Sequence, residues 1–407
     1  MYFLLFIFFF SICKTSAQLV SILAFPKGKQ EVEIPFELKN NFIVVNILFN
    51  RFLPLPFIYD TGAEHTVLMQ KEFALLMGVS FERQIKILGA DLSHELLAHI
   101  ARRIPFQLGD ISFFRDVLVL EEDYFEFEKY AGVKVNGILG ADVFHGYIVT
   151  IDYENQKLII TKPEGFRAPK GKNWEEIPFE LIKNRPYLYA KIAMPQDTAI
   201  SLKLLIDTGA SLGLLLHLQT DKRFELPEKV VRSKLGSGLG GIIEGIVGRL
   251  QHVEIGHSRL TNVIANFQDL PAGLDTTYLN GRKGLLGNDI LSRFKVIMDF
   301  RNIKMYVKKN KYFKNDFEYD KSGLVVIAGG ANAQTFTILD VLPNSPAAEA
   351  GLLRGDIIVS LNGFGANWFS LLSLARKFQG KENKRIKLKI KRNELILKKE
   401  FRLKNLI

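Results

Sequence analysis

The chain has 407 residues, of which 47% are hydrophobic and 24% charged, with a formal net charge of +11 at pH 7. That length exceeds a single ordinary core, so two or three domains are expected, and the composition excludes a disordered chain. Cys13 is the only cysteine, which excludes a disulfide framework within the chain.

The N-terminus reads "MYFLLFIFFFSICKTSAQ". Its apolar run of about 11 residues is too short to span a bilayer. Thr15, Ser16 and Ala17 form a small-residue cleavage signature before Gln18. Residues 1–17 are therefore expected to be a secretory signal peptide. A retained membrane anchor is the alternative, because no positive charge precedes the apolar run. Cleavage after Ala17 would leave a mature chain without cysteine, and so without thiol catalysis. No later segment approaches the length of a span, so export to the periplasm or cell surface without a transmembrane span is expected.

From residue 28 the chain repeats itself. Asp60 in "FIYDTGAEHTVLM" and Asp207 in "LLIDTGASLGLLL" stand 147 residues apart, and "GILGADVF" (137–144) and "GLLGNDIL" (284–291) share that offset. So do Asp152 and Asp299, and Gly109 and Gly256, while "IPFEL" opens each copy at 34 and 177. The copies are expected to run over 28–162 and 175–309. The segment 163–174, rich in Pro, Gly and charge, reads as the linker. Within each copy, short runs such as "FIVVNILF", "DVLVL" and "FKVIMDFRNIKMYV" are rich in Ile, Val and Phe and cut by Gly, Asn and Asp. They predict strands and hairpins, with turns at Glu-Asn (154–155) and Arg-Asn (301–302). A helix is predicted at "MQKEFALLMGV", with shorter ones at "ADVF" and "NDIL". The expected class is mainly β, in two similar lobes.

A carboxylate that ends an apolar strand is costly unless it is bonded, paired or used. Duplicated lobes related by a pseudo-two-fold axis set equivalent loops face to face, so Asp60 and Asp207 are the pair expected to meet. Two adjacent carboxylates share a proton, which supplies one general acid and one general base around a single water. Thr61 and Thr208 are placed to bond across the lobe interface. Gly62 and Gly209 permit the tight turn, and Gly140 and Gly287 leave room for a strand behind each active loop.

The paired Asp-Thr-Gly-Ala segments, each followed 80 residues later by a hydrophobic-hydrophobic-Gly element, resemble the bilobal aspartic proteases of the retropepsin and pepsin class. The resemblance covers roughly 28–309. It implies a pepsin-like acid protease fold, a catalytic dyad of Asp60 and Asp207, an interlocking pair of Thr61 and Thr208, and support from Gly62, Gly209, Gly140 and Gly287. It implies endopeptidase activity on a peptide or protein substrate between apolar residues, with neither cofactor nor metal. Ala63 and Ala210 replace the Ser or Thr usual in pepsins, so an outer hydroxyl bond to the dyad is missing and mildly acidic activity is expected. Glu64 is expected to face solvent. Substrate-covering flaps are expected at 87–95 and 234–248, the second rich in glycine.

After Lys309 a different module begins. "FTILDVLPNSPAAEAGLLRGDIIVSLNG" (336–363) resembles the PDZ domains found beside bacterial proteases, through Ser345, Pro346, Ala347, Gly351, Leu352, Gly355, Asp356, Asn362 and Gly363. The match covers about 320–405 and implies a C-terminal PDZ-like α+β domain. A C-terminal peptide ligand would add as a strand, its carboxylate held by the loop at Gly323, Leu324 and Val325, beside a helix at 367–378.

Other constellations are weaker. The seven histidines have no zinc spacing, and Ser211 lacks a nucleophile elbow. The acidic run "EEDYFEFEKY" (121–130) lacks a calcium-loop pattern and is expected to be a solvated loop or helix face. Residues 381–404 hold 11 Lys or Arg against three Glu, but "RIKLKIK" alternates with the period of a half-buried strand, so a solvated sheet face is expected rather than nucleic acid. A monomer is expected. The competing functional reading is a latent or non-hydrolytic peptide-binding regulatory protein of the cell envelope.

Overall fold

The computed structural model describes residues 22–407 apart from 51–53, 90–93, 125, 196–198, 239–240 and 331–332. The expected signal peptide, 1–17, lies outside the described residues.

The duplication is visible strand for strand. One eight-stranded sheet runs in the order Glu37–Lys39, Phe42–Phe49, Pro54–Asp60, Gly137–Gly140, Val67–Leu68, Ile111–Leu120, Glu95–Leu108, Arg83–Leu88. The second runs Glu180–Ile182, Arg185–Ala193, Ala199–Ile206, Gly284–Leu286, Leu214–His217, Ser258–Gln268, Gly241–Ile255, Val230–Gly238. Equivalent turns use equivalent chemistry. Asn40-Asn41 and Lys183-Asn184 all have positive φ, between 47° and 65°, as a two-residue type I′ hairpin requires.

A third sheet draws strands from both copies. Its centre pairs Ile148–Asp152 with Phe294–Asp299 antiparallel, and Thr150 opposes Ile297, its own counterpart 147 residues on. The pseudo-two-fold axis therefore passes through this pair. The hairpins on either side turn by the same device. Asp152 accepts from the Asn155 backbone N–H and side-chain amide, and Asp299 accepts likewise from Asn302. One apolar core continues through both lobes and the shared sheet, from Leu23 to Phe317.

The helix predicted at 69–79 is shorter, Lys71–Leu76, whereas the two short ones lie where predicted, a 3₁₀ turn at Ala141–Phe144 and one α-turn at Asn288–Leu291. The C-terminal unit has its own core and a sheet in the order Leu324–Gly329, Thr335–Val341, Ile357–Leu361, Arg385–Arg392, Leu395–Arg402. Ser345 caps the helix Pro346–Glu349 through the Ala348 N–H, and the helix expected at 367–378 is a 3₁₀ turn followed by Leu371–Phe378. The basic strand Arg385–Arg392 alternates exposed and buried residues, the solvated sheet face expected of it.

Gly287 lies where a Cβ would stand 2.7 Å from the Ala210 carbonyl oxygen and would collide with that of Leu212. Gly287→Ala is expected to lower the unfolding free energy by about 3 kcal/mol, read from urea midpoints. An unchanged midpoint would show that this close approach is not needed.

Candidate active site

Each lobe delivers its aspartate at the end of an inner strand. In the first, Pro54–Asp60 runs parallel to Gly137–Gly140, with Asp60 opposite Gly140. In the second, Ala199–Ile206 runs parallel to Gly284–Leu286, and the Asp207 N–H donates to the Leu286 carbonyl. The buried neighbours Phe57, Ile58, Tyr59, Leu204, Leu205 and Ile206 hold both strand ends in place.

Two buried threonines lock the lobes. The Thr61 N–H donates to Thr208 Oγ1 at 2.9 Å, and the Thr208 N–H donates to Thr61 Oγ1 at 3.0 Å. Each hydroxyl then donates onward, Thr61 to the Ile206 carbonyl (2.7 Å) and Thr208 to the Tyr59 carbonyl (2.8 Å). Both side chains act as donor and acceptor at once, so no buried donor in the pair is left over.

This lock brings Asp60 and Asp207 side by side. Each carboxylate accepts the N–H two residues on, Gly62 to Asp60 at 2.7 Å and Gly209 to Asp207 at 2.9 Å. The approach is so close that a Cβ on Gly62 would stand 2.6 Å from Asp207 Cγ, and one on Gly209 would strike the Asp60 carboxyl. Glycine here is a demand of the partner carboxylate, beyond the turn itself. Gly140 is equally confined, by His65 and Asp142.

The two acids are inequivalent. Burial first, and then the Asp207 charge, hold Asp60 well above the ordinary carboxylate range. Burial also raises Asp207, but the hydrogen bond from Asp60 and the Arg282 guanidinium pull the other way. The pair therefore holds one proton between two raised carboxyl groups, and the Arg282 charge favours the arrangement in which Asp207 is the ionised member. The Ala63 N–H donates to Asp60 at 3.0 Å, where its side chain has no hydroxyl to offer.

Several residues at the site carried no sequence signal strong enough to single them out. Asn288, where the first copy has Ala141, donates to the Thr208 carbonyl (2.6 Å) and the Asn41 carbonyl (2.7 Å) and accepts from the buried Tyr153 hydroxyl (2.6 Å). Asn41 in turn donates to the Ser211 carbonyl at 3.0 Å. The difference between "GADVF" and "GNDIL" was the available clue. Arg282 and the cross-lobe pair of Glu64 with Arg185 at 3.7 Å were also missed. Glu64 is half-exposed and pairs with Arg185 and, at 3.8 Å, with His65, rather than standing free in solvent as expected.

Both flap segments are hairpins. Arg83–Leu88 pairs with Glu95–Leu108, closing at Leu88 and Glu95, and Val230–Gly238 pairs with Gly241–Ile255, closing at Gly238 and Gly241. Their tips, 90–93 and 239–240, lie outside the described residues. Among the described residues no group of His, Cys, Asp and Glu could hold a metal ion, and no helix is long and apolar enough to cross a membrane.

At the C-terminal unit, Leu324 and Val326 line a groove with the helix Leu371–Phe378, whereas Val325 is not part of its lining. Gly323 has φ +81° and lies tight against Ser345. The expected carboxylate cradle needs correction, because its N–H groups are taken. Asp320 accepts from the Ser322 and Gly323 N–H groups at 2.8 and 2.7 Å, and Ser322 Oγ accepts from Leu324 N–H at 3.1 Å. The acidic run at 121–130 keeps Glu122, Glu126 and Glu128 exposed, the solvated face expected of it, while the other side of its helix, Phe127–Ala131, lies against the groove strand Leu324–Gly329 and the flap strand Val230–Gly238.

Residues 197–290 match the family model for aspartyl proteases, and residues 337–392 match that for a PDZ domain. No curated protein matches the chain. Among solved structures, the aspartic proteinase from Irpex lacteus is similar over 70% of this chain and 99% of its own, at 12% identity and a TM-score of 0.43. The chain carries an aspartyl protease domain and a C-terminal PDZ domain.

Two outcomes test this geometry. Thr61→Ala, which strands the buried Thr208 N–H, is expected to cost about 2 kcal/mol in denaturant unfolding, and Thr61→Ser clearly less. Equal losses would assign the threonine a packing role only. Because the native pKa of Asp60 lies above its unfolded value of about 4, the native state holds more protons than the unfolded state as pH rises past that value. Its contribution to stability therefore falls with rising pH. Asp60→Asn removes the penalty, so the variant should gain on the wild type by about 1 kcal/mol or more between about pH 4 and pH 7. A constant difference across that range would contradict the raised pKa.

Proposed function

We propose that this aspartic-type peptidase, with its C-terminal PDZ domain, cleaves internal peptide bonds between apolar residues by a water activated between Asp60 and Asp207. The observation that carries the reading is the reciprocal threonine lock, which sets two partly buried carboxylates face to face with one shared proton. Asp207 takes a proton from the water as its oxygen attacks the amide carbon, while Asp60 gives its proton to the carbonyl oxygen. The tetrahedral gem-diol collapses as its C–N bond breaks: Asp207 returns its proton to the leaving nitrogen, which becomes the new amine, and Asp60 takes back a proton from one gem-diol hydroxyl, which leaves the new carboxyl group and restores the starting dyad. Thr61, Gly62, Thr208, Gly209, Gly140 and Gly287 position the two carboxyl groups and do not exchange protons.

In this reading, residues 28–162 and 175–309 are the two lobes, 163–174 joins them, and 320–405 forms the PDZ unit. The protein acts as a monomer on peptide or protein substrates after export, in the bacterial periplasm or at the cell surface, and residues 1–17 are its signal peptide. The two flap hairpins cover the bound chain, and neither nucleic acid nor a cofactor takes part.

The test is digestion of a diverse peptide mixture by the purified mature chain from about pH 3 to about pH 8, with cleavage sites identified by mass spectrometry. Cleavage between apolar residues with a mildly acidic maximum is expected. Asp207→Asn and Asp60→Asn should each lower kcat/KM by about 10³ or more, since each removes one half of the acid–base pair. Cleavage that survives either substitution would exclude the dyad.

A further inference from the structure

The groove between the strand Leu324–Gly329 and the helix Leu371–Phe378 is where a polypeptide would add to the PDZ sheet. Leu324–Gly329 is an edge strand, paired on one side only with Thr335–Val341. Lobe 1 covers this groove. Tyr130 and Asn40 close over it, and Gly132 lies where a Cβ would stand 2.9 Å from Leu371 Cβ. The Asn40 amide donates to the Ala131 carbonyl at 3.3 Å and holds the covering turn. The cover does not fill the groove. A cavity of 140 Å³ remains beneath Tyr130, lined by Leu324, Val326, Leu371, Leu374 and Phe378. That is room for about one apolar side chain.

The end of the groove selects against a second carboxylate. Asp320 lies in the lining, and its Oδ1 accepts the Ser322 N–H, the Ser322 hydroxyl and the Gly323 N–H. No N–H of residues 322–324 is left for a ligand, and a second carboxylate placed there would meet the first. The groove therefore fits the interior of an apolar strand better than a free chain terminus.

The cover is also tied to the flap. The covering helix Phe127–Ala131 is anchored in lobe 1 by Phe127, which packs edge-on against Phe42 at 5.5 Å. It touches both the groove strand and the flap strand Val230–Gly238. The chain into the PDZ unit is fastened to lobe 2 at Phe317, which is buried beneath Arg293 and whose carbonyl accepts from Arg249 at 3.1 Å. The PDZ unit takes hold at Lys321, whose N–H donates to the Phe378 carbonyl. Only residues 318–320 lie between, and one of them, Tyr319, is the hydrogen-bond partner of Ser233 in the flap strand.

We propose that the PDZ groove is a self-covered regulatory site: an apolar strand lacking a free terminal carboxylate enters when the PDZ unit swings off the Phe127–Ala131 helix, and the swing frees the flap. The binding half stands by itself, while the effect on turnover rests on the peptidase reading. Phe127 keeps the covering helix on lobe 1, so the moving body is the PDZ unit and its pivot is 318–320. A ligand shifts this equilibrium only by its preference for the open arrangement.

The test uses the full mature chain carrying Asp207→Asn and a fluorescein-labelled hexapeptide of Leu and Val, as the C-terminal amide and as the free acid. Tyr130→Ala and Asn40→Gly remove the cover; the second keeps the positive φ of the turn accessible. Each should tighten amide binding about fivefold or more, with the free acid weaker, and saturating amide should speed amide hydrogen exchange in Val230–Gly238. In the chain with Asp207 intact, the amide should raise kcat/KM on a quenched peptide substrate by a similar factor. Equal binding with and without the cover, preference for the free acid, or binding that leaves flap exchange unchanged would each overturn the proposal. Binding and exchange are read without turnover, so an inactive dyad would sink the peptidase reading and leave this result interpretable.

Discussion

The structure depends on a contact made twice: a threonine hydroxyl of one lobe accepting the backbone N–H of the threonine in the other. Neither lobe completes its own active loop. Without Thr208 the Thr61 N–H is an orphan in a dry interface, and without Thr61 the same holds for Thr208, so the lobes are held in one relative position by the cost of unmade bonds. The shared sheet supports this from behind, with its axis between Thr150 and Ile297. The glycines follow as consequences. Gly62 and Gly209 are bare because the opposing carboxyl occupies the volume where a side chain would stand.

Symmetry brings the acids together, and departures from symmetry tell them apart. Arg282 stands on the second lobe's side, and its charge favours the ionised form of Asp207. Asn288 replaces Ala141 and fastens the Thr208 carbonyl, the Asn41 carbonyl and the Tyr153 hydroxyl in one network. The second loop is thus fastened by a buried amide that the first copy, with Ala141, lacks. A base and an acid are obtained from two copies of one sequence element because their surroundings push the two pKa values apart.

The repeat made most of the architecture legible. Five matched landmarks implied two similar lobes, and Asp-Thr-Gly at equivalent strand ends implied that their loops would meet. Two turns were also readable, since Glu154-Asn155 and Arg301-Asn302 lie inside the hairpins that pair Asp152 with Lys157 and Asp299 with Lys304. Three things were hidden, each for a physical reason. The helix length was overestimated at 69–79 because Gly78, in the left-handed region at φ +69°, turns the chain out of the helix after Leu76, with the Gly78 N–H donating to the Leu75 carbonyl and the Val79 N–H to the Ala74 carbonyl. The packed side of the acidic helix Phe127–Ala131 was hidden because its contact surface is supplied by residues roughly 100 and 200 positions away. The filled PDZ cradle was invisible because Asp320 precedes the quoted motif, and an Asp two residues before a turn N–H is ordinary turn chemistry in any sequence.

The central claim is that the lobes present one proton shared by two carboxyl groups. It is tested most directly by titrating the aspartate carboxyl carbons by NMR in the labelled mature chain, with Asp60→Asn and Asp207→Asn used to assign the two signals. The account predicts two coupled transitions, one displaced well above the ordinary carboxylate range, and collapse of the coupling in either variant. Two independent transitions near the ordinary value of about 4, unchanged when the other aspartate is replaced, would contradict it.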